Sequence, residues 1–198
     1  MANVNAPYGL RPLRYASGAP YNGACNFYFA TGATGAIFIG DPVIIAGSAN
    51  TAEVQGYPAG TLPTVTVATA GDGNLISGVC VGVLPVTADS TRYRVDSTDR
   101  IIMVADDLEN LIFVGQTDTA STDWAATDVG SYANLLTGTG STYSGLSGFT
   151  LDTTDDPDES DTSNQLRIIR LWPGANNAIG EFGQWEVMVN PASIKLAA

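Results

Sequence analysis

TVTVATAGDGNLISGVCVGVL, residues 64–84, holds two strand-like runs on either side of a Gly-Asp-Gly-Asn turn. In the first run Val65 and Val67 share one face while Thr64 and Thr66 take the other, the period of two expected of a half-buried strand. The second run, LISGVCVGVL (75–84), is apolar on both faces. That pattern belongs to a central strand, or to one with a face at a subunit interface. Its glycines signal a bulge or a close backbone approach.

The same chemistry repeats along the chain. CNFYFA (25–30), AIFIG (36–40), PVIIAG (42–47), RYRV (92–95), RIIMVA (100–105), NLIFVGQ (110–116), GFTLD (148–152), QLRIIRLW (165–172) and WEVMVN (185–190) are short and rich in Val, Ile, Phe, Tyr and Thr, as a pleated surface favours. RIIMVA is again apolar on both faces, whereas in WEVMVN Trp185, Val187 and Val189 alternate with Glu186 and Met188. Turn residues separate the runs, as in Gly40-Asp41-Pro42 and Pro173-Gly174. Many short strands at near-regular spacing predict an all-β fold, a sandwich or a closed barrel. Helix signals reach one turn each, at 106–110 and 121–126. Residues 117–150 are rich in Gly, Ser and Thr and read as a long connection, with a strand near 131–136.

Composition narrows the function. The 198 residues carry a net charge of -12, eight basic residues and no histidine. Without a basic stripe, nucleic-acid binding and attachment to anionic membranes are not expected. No apolar run has the length of a membrane span, and the opening residues lack the pattern of a secretory signal. Histidine-dependent nucleophile systems are excluded, and no other catalytic constellation emerges. Asp106 and Asp107 are adjacent and point apart on an extended chain. The glycines of GTGSTYSGLSG match no phosphate-binding template. Cys25 and Cys80 sit in apolar contexts and read as small buried hydrophobes. No cofactor is expected.

Two segments stand out as sites. In LDTTDDPDESDTSN (151–164), Asp156, Asp158 and Asp161 could supply oxygen ligands to calcium, but the glycine and glutamate of a full calcium loop are missing. A solvated acidic loop is the plainer reading. The opening APYGLRPLRYASGAPYNGA (6–24) is punctuated by Pro7, Pro12 and Pro20, which deny it a regular ladder. Residues 1–24 are therefore expected to form an extended arm ahead of a single all-β domain at 25–198. Tyr8, Leu10, Leu13 and Tyr15 would be its apolar anchors, and Arg11 and Arg14, far in sequence from any acid, its polar grip on a partner. Arg92, Arg94 and Arg100 instead have Asp96 and Asp99 nearby for local charge balance.

Taken together, ANVNAPYGLRPLRYASGAPYNGACNFYF (2–29), IGDPVIIAGSA (39–49), PTVTVATAGDGNLISGVCVGV (63–83), LRIIRLW (166–172) and GQWEVMVN (183–190) resemble a family of tailed-bacteriophage virion proteins, the capsid decoration or cement proteins. The resemblance implies a jelly-roll-like β body on the outer surface of an HK97-type head, bridging neighbouring major capsid proteins as a homo-oligomer, dimer or trimer. It also implies synthesis in the bacterial cytoplasm and no catalytic residues. The alternative is a carbohydrate-binding or adhesion module, calcium-dependent through 151–164, with Trp124, Trp172 and Trp185 as sugar-stacking residues.

Overall fold

The computed structural model describes residues 3–32, 35–119, 124–154 and 157–195. Its strands are β1 (Arg11–Tyr15), β2 (Asn26–Ala30), β3 (Pro42–Ala49), β4 (Pro63–Val67), β5 (Gly78–Val83), β6 (Arg100–Ala105) and β7 (Leu111–Gln116), followed by β8 (Tyr132–Ala133), β9 (Leu135–Leu136), β10 (Thr150–Leu151), β11 (Leu166–Leu171) and β12 (Gln184–Val189). Helical structure among the described residues is confined to single 3-10 turns at Ala126–Asp128 and Pro191–Ser193. The all-β expectation holds. A closed five-stranded barrel, β2-β4-β3-β5-β6, adjoins a five-stranded sheet in the order β1-β7-β12-β11-β8, and β9 and β10 form a small separate ladder.

This arrangement explains why β5 and β6 are apolar on both faces. Alternate residues serve two cores. Cys80, Ile102 and Val104 fill the barrel interior, while Val79 and Ala105 pack into the larger core shared with the open sheet. That core contains Phe113, Ile168, Val187 and the buried pair Trp124 and Trp185, whose rings meet edge-on at 5.7 Å. The glycines of β5 do both jobs expected of them. The pairing with β6 shifts register between Cys80 and Gly82, and a Cβ on Gly78 would collide with Val104.

Several local expectations are corrected. AIFIG and RYRV are not strands but contribute isolated bridges, Ile37 with Arg94 and Ile39 with Leu146. The reason is Arg94, 2% exposed, whose guanidinium donates to the carbonyls of Thr31, Gly35 and Thr98 and so draws three loops around itself. The Thr face of β4 is not wet throughout: Thr64 is buried, its hydroxyl 2.6 Å from that of Ser48. Residues 106–110 form a hydrogen-bonded turn rather than a helix. In the second helix expectation, residues 121–123 lie outside the described residues. Cys80 is buried, with its thiol pushed up to about 12 by desolvation, while Cys25 is only half-buried; both are free.

The largest correction concerns residues 1–24. Their described part is not an arm. β1 pairs antiparallel with β7, from Arg11 opposite Val114 to Tyr15 opposite Leu111, and Leu10 is 1% exposed in the main core. Pro12 does not prevent this, because β1 is an edge strand whose register shifts between Pro12 and Arg14, and edges and bulges are where a strand tolerates proline. The chain then turns back, and Tyr15 and Tyr21 donate their backbone N–H groups to Ala19 and Leu13, which covers the edge that β1 would otherwise expose.

Candidate partner-binding surface

The segment ahead of β1 is strapped to the loop before β12. Asn3 donates from Nδ2 to the carbonyls of Ala178 and Glu181, both at 2.9 Å. Gln116, 1% exposed, donates to the Val4 carbonyl at 2.7 Å and accepts from the Ala6 N–H at 3.0 Å. The Tyr8 hydroxyl donates to Gln184 at 2.9 Å, and burial pushes its pKa up to about 12. Pro7 lies between these anchors, half-buried.

The chain next crosses the Gly40-Asp41-Pro42 turn, where the Leu10 N–H donates to the Gly40 carbonyl at 2.9 Å and the Gly40 N–H to that of Cys80 at 2.7 Å. Residues 145–147 join the same crossing through Ile39, which donates to Gly145 and accepts from Ser147. Three parts of the fold thus meet at one turn: the opening segment, the barrel and the long connection. Asp41 sits at their centre, 3% exposed, accepting the Phe38 N–H at 2.8 Å. Desolvation raises its pKa from 3.8 to about 6, with hydrogen bonds from Phe38 and Ser147 opposing the rise.

Because the folded protein holds Asp41 above its ordinary value, its stabilising contribution is complete below the unfolded pKa and is lost as pH rises through about 6. The shift is worth on the order of 3 kcal/mol at most. Asp41→Asn keeps an acceptor for Phe38 but cannot titrate. The melting temperature of the wild type, relative to this variant, is expected to rise between pH 8 and pH 5. An identical pH profile for both proteins would contradict this.

The expected grip residues separate into two kinds. Arg14 is paired within its own sheet: it reaches Glu186 on β12 at 2.7 Å, and Arg170 on β11 reaches the other carboxylate oxygen at 2.9 Å. Glu186 is 1% exposed, so two guanidinium groups satisfy one buried carboxylate across the outer face of the sheet. Leu10 belongs to the core, Leu13 is half-buried, and the Tyr15 hydroxyl donates to Asn22 at 3.1 Å. Arg11 is different. It is exposed, and its guanidinium lies over the ring of Tyr8 at 4.8 Å and that of Trp172 at 6.0 Å. Beside it, between β1 and the barrel, opens an apolar cavity of about 350 Å³ that includes Leu10, Pro12, Val81 and Leu146 in its wall.

Of the three calcium candidates in the acidic loop, two lie among the described residues. The Asp158 and Asp161 carboxylates each accept the N–H two residues on, from Ser160 at 2.7 Å and Ser163 at 3.0 Å. The two Ser160 donors hold Asp158 below the usual carboxylate range. Asp156 lies outside the described residues. The backbone of Asp158 pairs with Tyr132, so this loop caps the β8 edge. Of the sugar-stacking candidates, Trp124 and Trp185 are buried at 1% exposure, and Trp172 carries Arg11. Asp106 accepts from Tyr28 and Asn26, and Asp107 from Asn110. The two carboxylates therefore serve separate partners, as adjacent positions suggested.

Sequence reasoning missed Glu186 and Gln116, which meet the opening segment from more than 100 positions away, and Asn3, which ties that segment to Ala178 and Glu181. Glu186 alone left a trace, as a charge among the apolar residues of WEVMVN. No family model, no curated protein and no solved structure matches the chain.

Proposed function

We propose that this chain is a non-enzymatic structural protein of the tailed-phage virion. It decorates the outside of an HK97-type head and cross-links neighbouring major capsid proteins, acting as a homo-oligomer. The observation that carries the reading is the resemblance quoted above. Its stretches include all of β1, β3, β4, β5, β11 and β12 and most of β2, so the framework of both the barrel and the sheet is involved. The low charged fraction of 14% is in keeping with a surface that works against another protein.

The intramolecular anchoring of residues 3–21 changes the mechanism expected of a draped arm. A strap already bonded to its own sheet loses little conformational freedom on docking, so attachment gains from a preorganised face. Repetition over a lattice by the homo-oligomer then multiplies modest contacts through avidity.

Co-sedimentation with purified heads tests the reading. The protein is expected to pellet with heads at saturating concentration in a fixed ratio to the major capsid protein. Recovery only in the supernatant, with the same heads competent for other ligands, would overturn it.

A further inference from the structure

We propose that the cavity between β1 and the barrel receives an apolar side chain from an acidic segment of a protein partner, with Arg11 taking the adjacent carboxylate; this rests on the shell-binding reading above.

The cavity, about 350 Å³, lies at the lower end of the roughly 300–1,000 Å³ spanned by small-ligand pockets. Its size suits one large side chain better than a cofactor. Leu10, Pro12, Val81 and Leu146 provide apolar wall, and Leu146 is 36% exposed. The wall is rigid: Leu10 is a core residue held by Gly40, and Val81 belongs to the barrel strand β5.

Arg11 supplies the charge argument. Both ion pairs among the described residues converge on Glu186, from Arg14 and Arg170. Among the described residues Arg11 has no carboxylate partner; its contacts are the two aromatic rings. These cation–π contacts use no N–H of the guanidinium, which leaves its fork for a planar, bidentate acceptor. Tyr8 is itself fixed by Gln184, so the fork is positioned before any partner arrives. In a chain of net charge -12, one exposed cation beside an apolar cavity gives an acidic partner a defined landing point while the remaining surface opposes misregistered docking. Arginine is also among the residues enriched at interface hot spots, which sit in desolvated pockets.

The test is co-sedimentation of purified heads with the full chain carrying Arg11→Gln, Arg11→Lys, Leu146→Glu or, as a charge-matched control, Arg167→Gln on the exposed side of β11. Each variant is first checked for an unchanged thermal transition. Arg11→Gln and Leu146→Glu are expected to weaken binding by about tenfold or more. Arg11→Lys should fall between them and wild type because it keeps the charge without the fork, and Arg167→Gln should bind as wild type does. Wild-type binding with undiminished binding by Arg11→Gln and Leu146→Glu would overturn the pocket proposal and leave shell binding intact. Equal losses in Arg11→Gln and Arg167→Gln would also overturn it, by showing that only overall charge matters. Failure of the wild type to pellet would overturn the shell-binding reading, and the pocket proposal with it.

Discussion

A chain lacking residues 1–15 is expected to lose its cooperative thermal transition, or to melt more than about 10 °C below the full-length protein. The deletion removes β1 from the open sheet and the buried Leu10 from the main core. It also takes one of the two guanidinium partners from Glu186. Emptying a buried leucine site costs roughly 2–5 kcal/mol, and leaving a buried carboxylate half-paired adds to that. The sum is a large share of the roughly 5–15 kcal/mol by which domains are stable. Circular dichroism melts of the two proteins decide the matter. A dispensable arm would instead leave the transition of the truncated protein unchanged.

Gly40→Ala is expected to destabilise by about 3 kcal/mol or more, far beyond an ordinary glycine substitution in a turn. Gly40 has φ +97°, and a Cβ there would run into the Tyr8 carbonyl oxygen, a backbone atom with no rotamer to escape through. Gly9, on the other side of the same crossing, would drive a Cβ into Gly40 itself. Gly47 provides the comparison. Its φ is +82° but nothing lies within 4 Å of its missing Cβ, so Gly47→Ala should cost only the left-handed strain of about 1–2 kcal/mol. Denaturant titrations of the two variants separate the contact from the dihedral. Equal losses would mean that the crossing is looser than the structure has it.

The strands were legible because β-branched and aromatic runs between turn clusters report local geometry, and TVTVAT and LISGVCVGVL needed no partner to be read. Their pairing was not legible. The Gly-Asp-Gly-Asn turn joins β4 to β5, yet each pairs with β3 and neither with the other. Barrel closure depends on contacts such as Phe29 with Thr64, which no local pattern announces. The misreading of 1–24 has a specific cause. Pro12 looks like a ladder breaker when the strand is taken as internal, and becomes compatible once β1 is an edge strand with a register shift there. Arg14 looked unpaired because its carboxylate lies 172 positions away. Arg11 stays exposed while Arg14 reaches Glu186, although the register shift after Pro12 leaves both on the same outer face of the sheet, opposite Val114 and Ile112.

The most direct test of this account is amide hydrogen exchange in the free protein, with no capsid present. The backbone N–H groups of Leu10, Tyr15, Ala16 and Tyr21 are bonded to Gly40, Ala19, Asn110 and Leu13. They are expected to be protected to a degree approaching that of Phe113 and Val187 in the central strands, because a built-in strand opens with the sheet it belongs to. Exchange of these four amides at the rate of an unstructured chain, with Phe113 and Val187 still protected, would mean that the opening segment is a free arm after all.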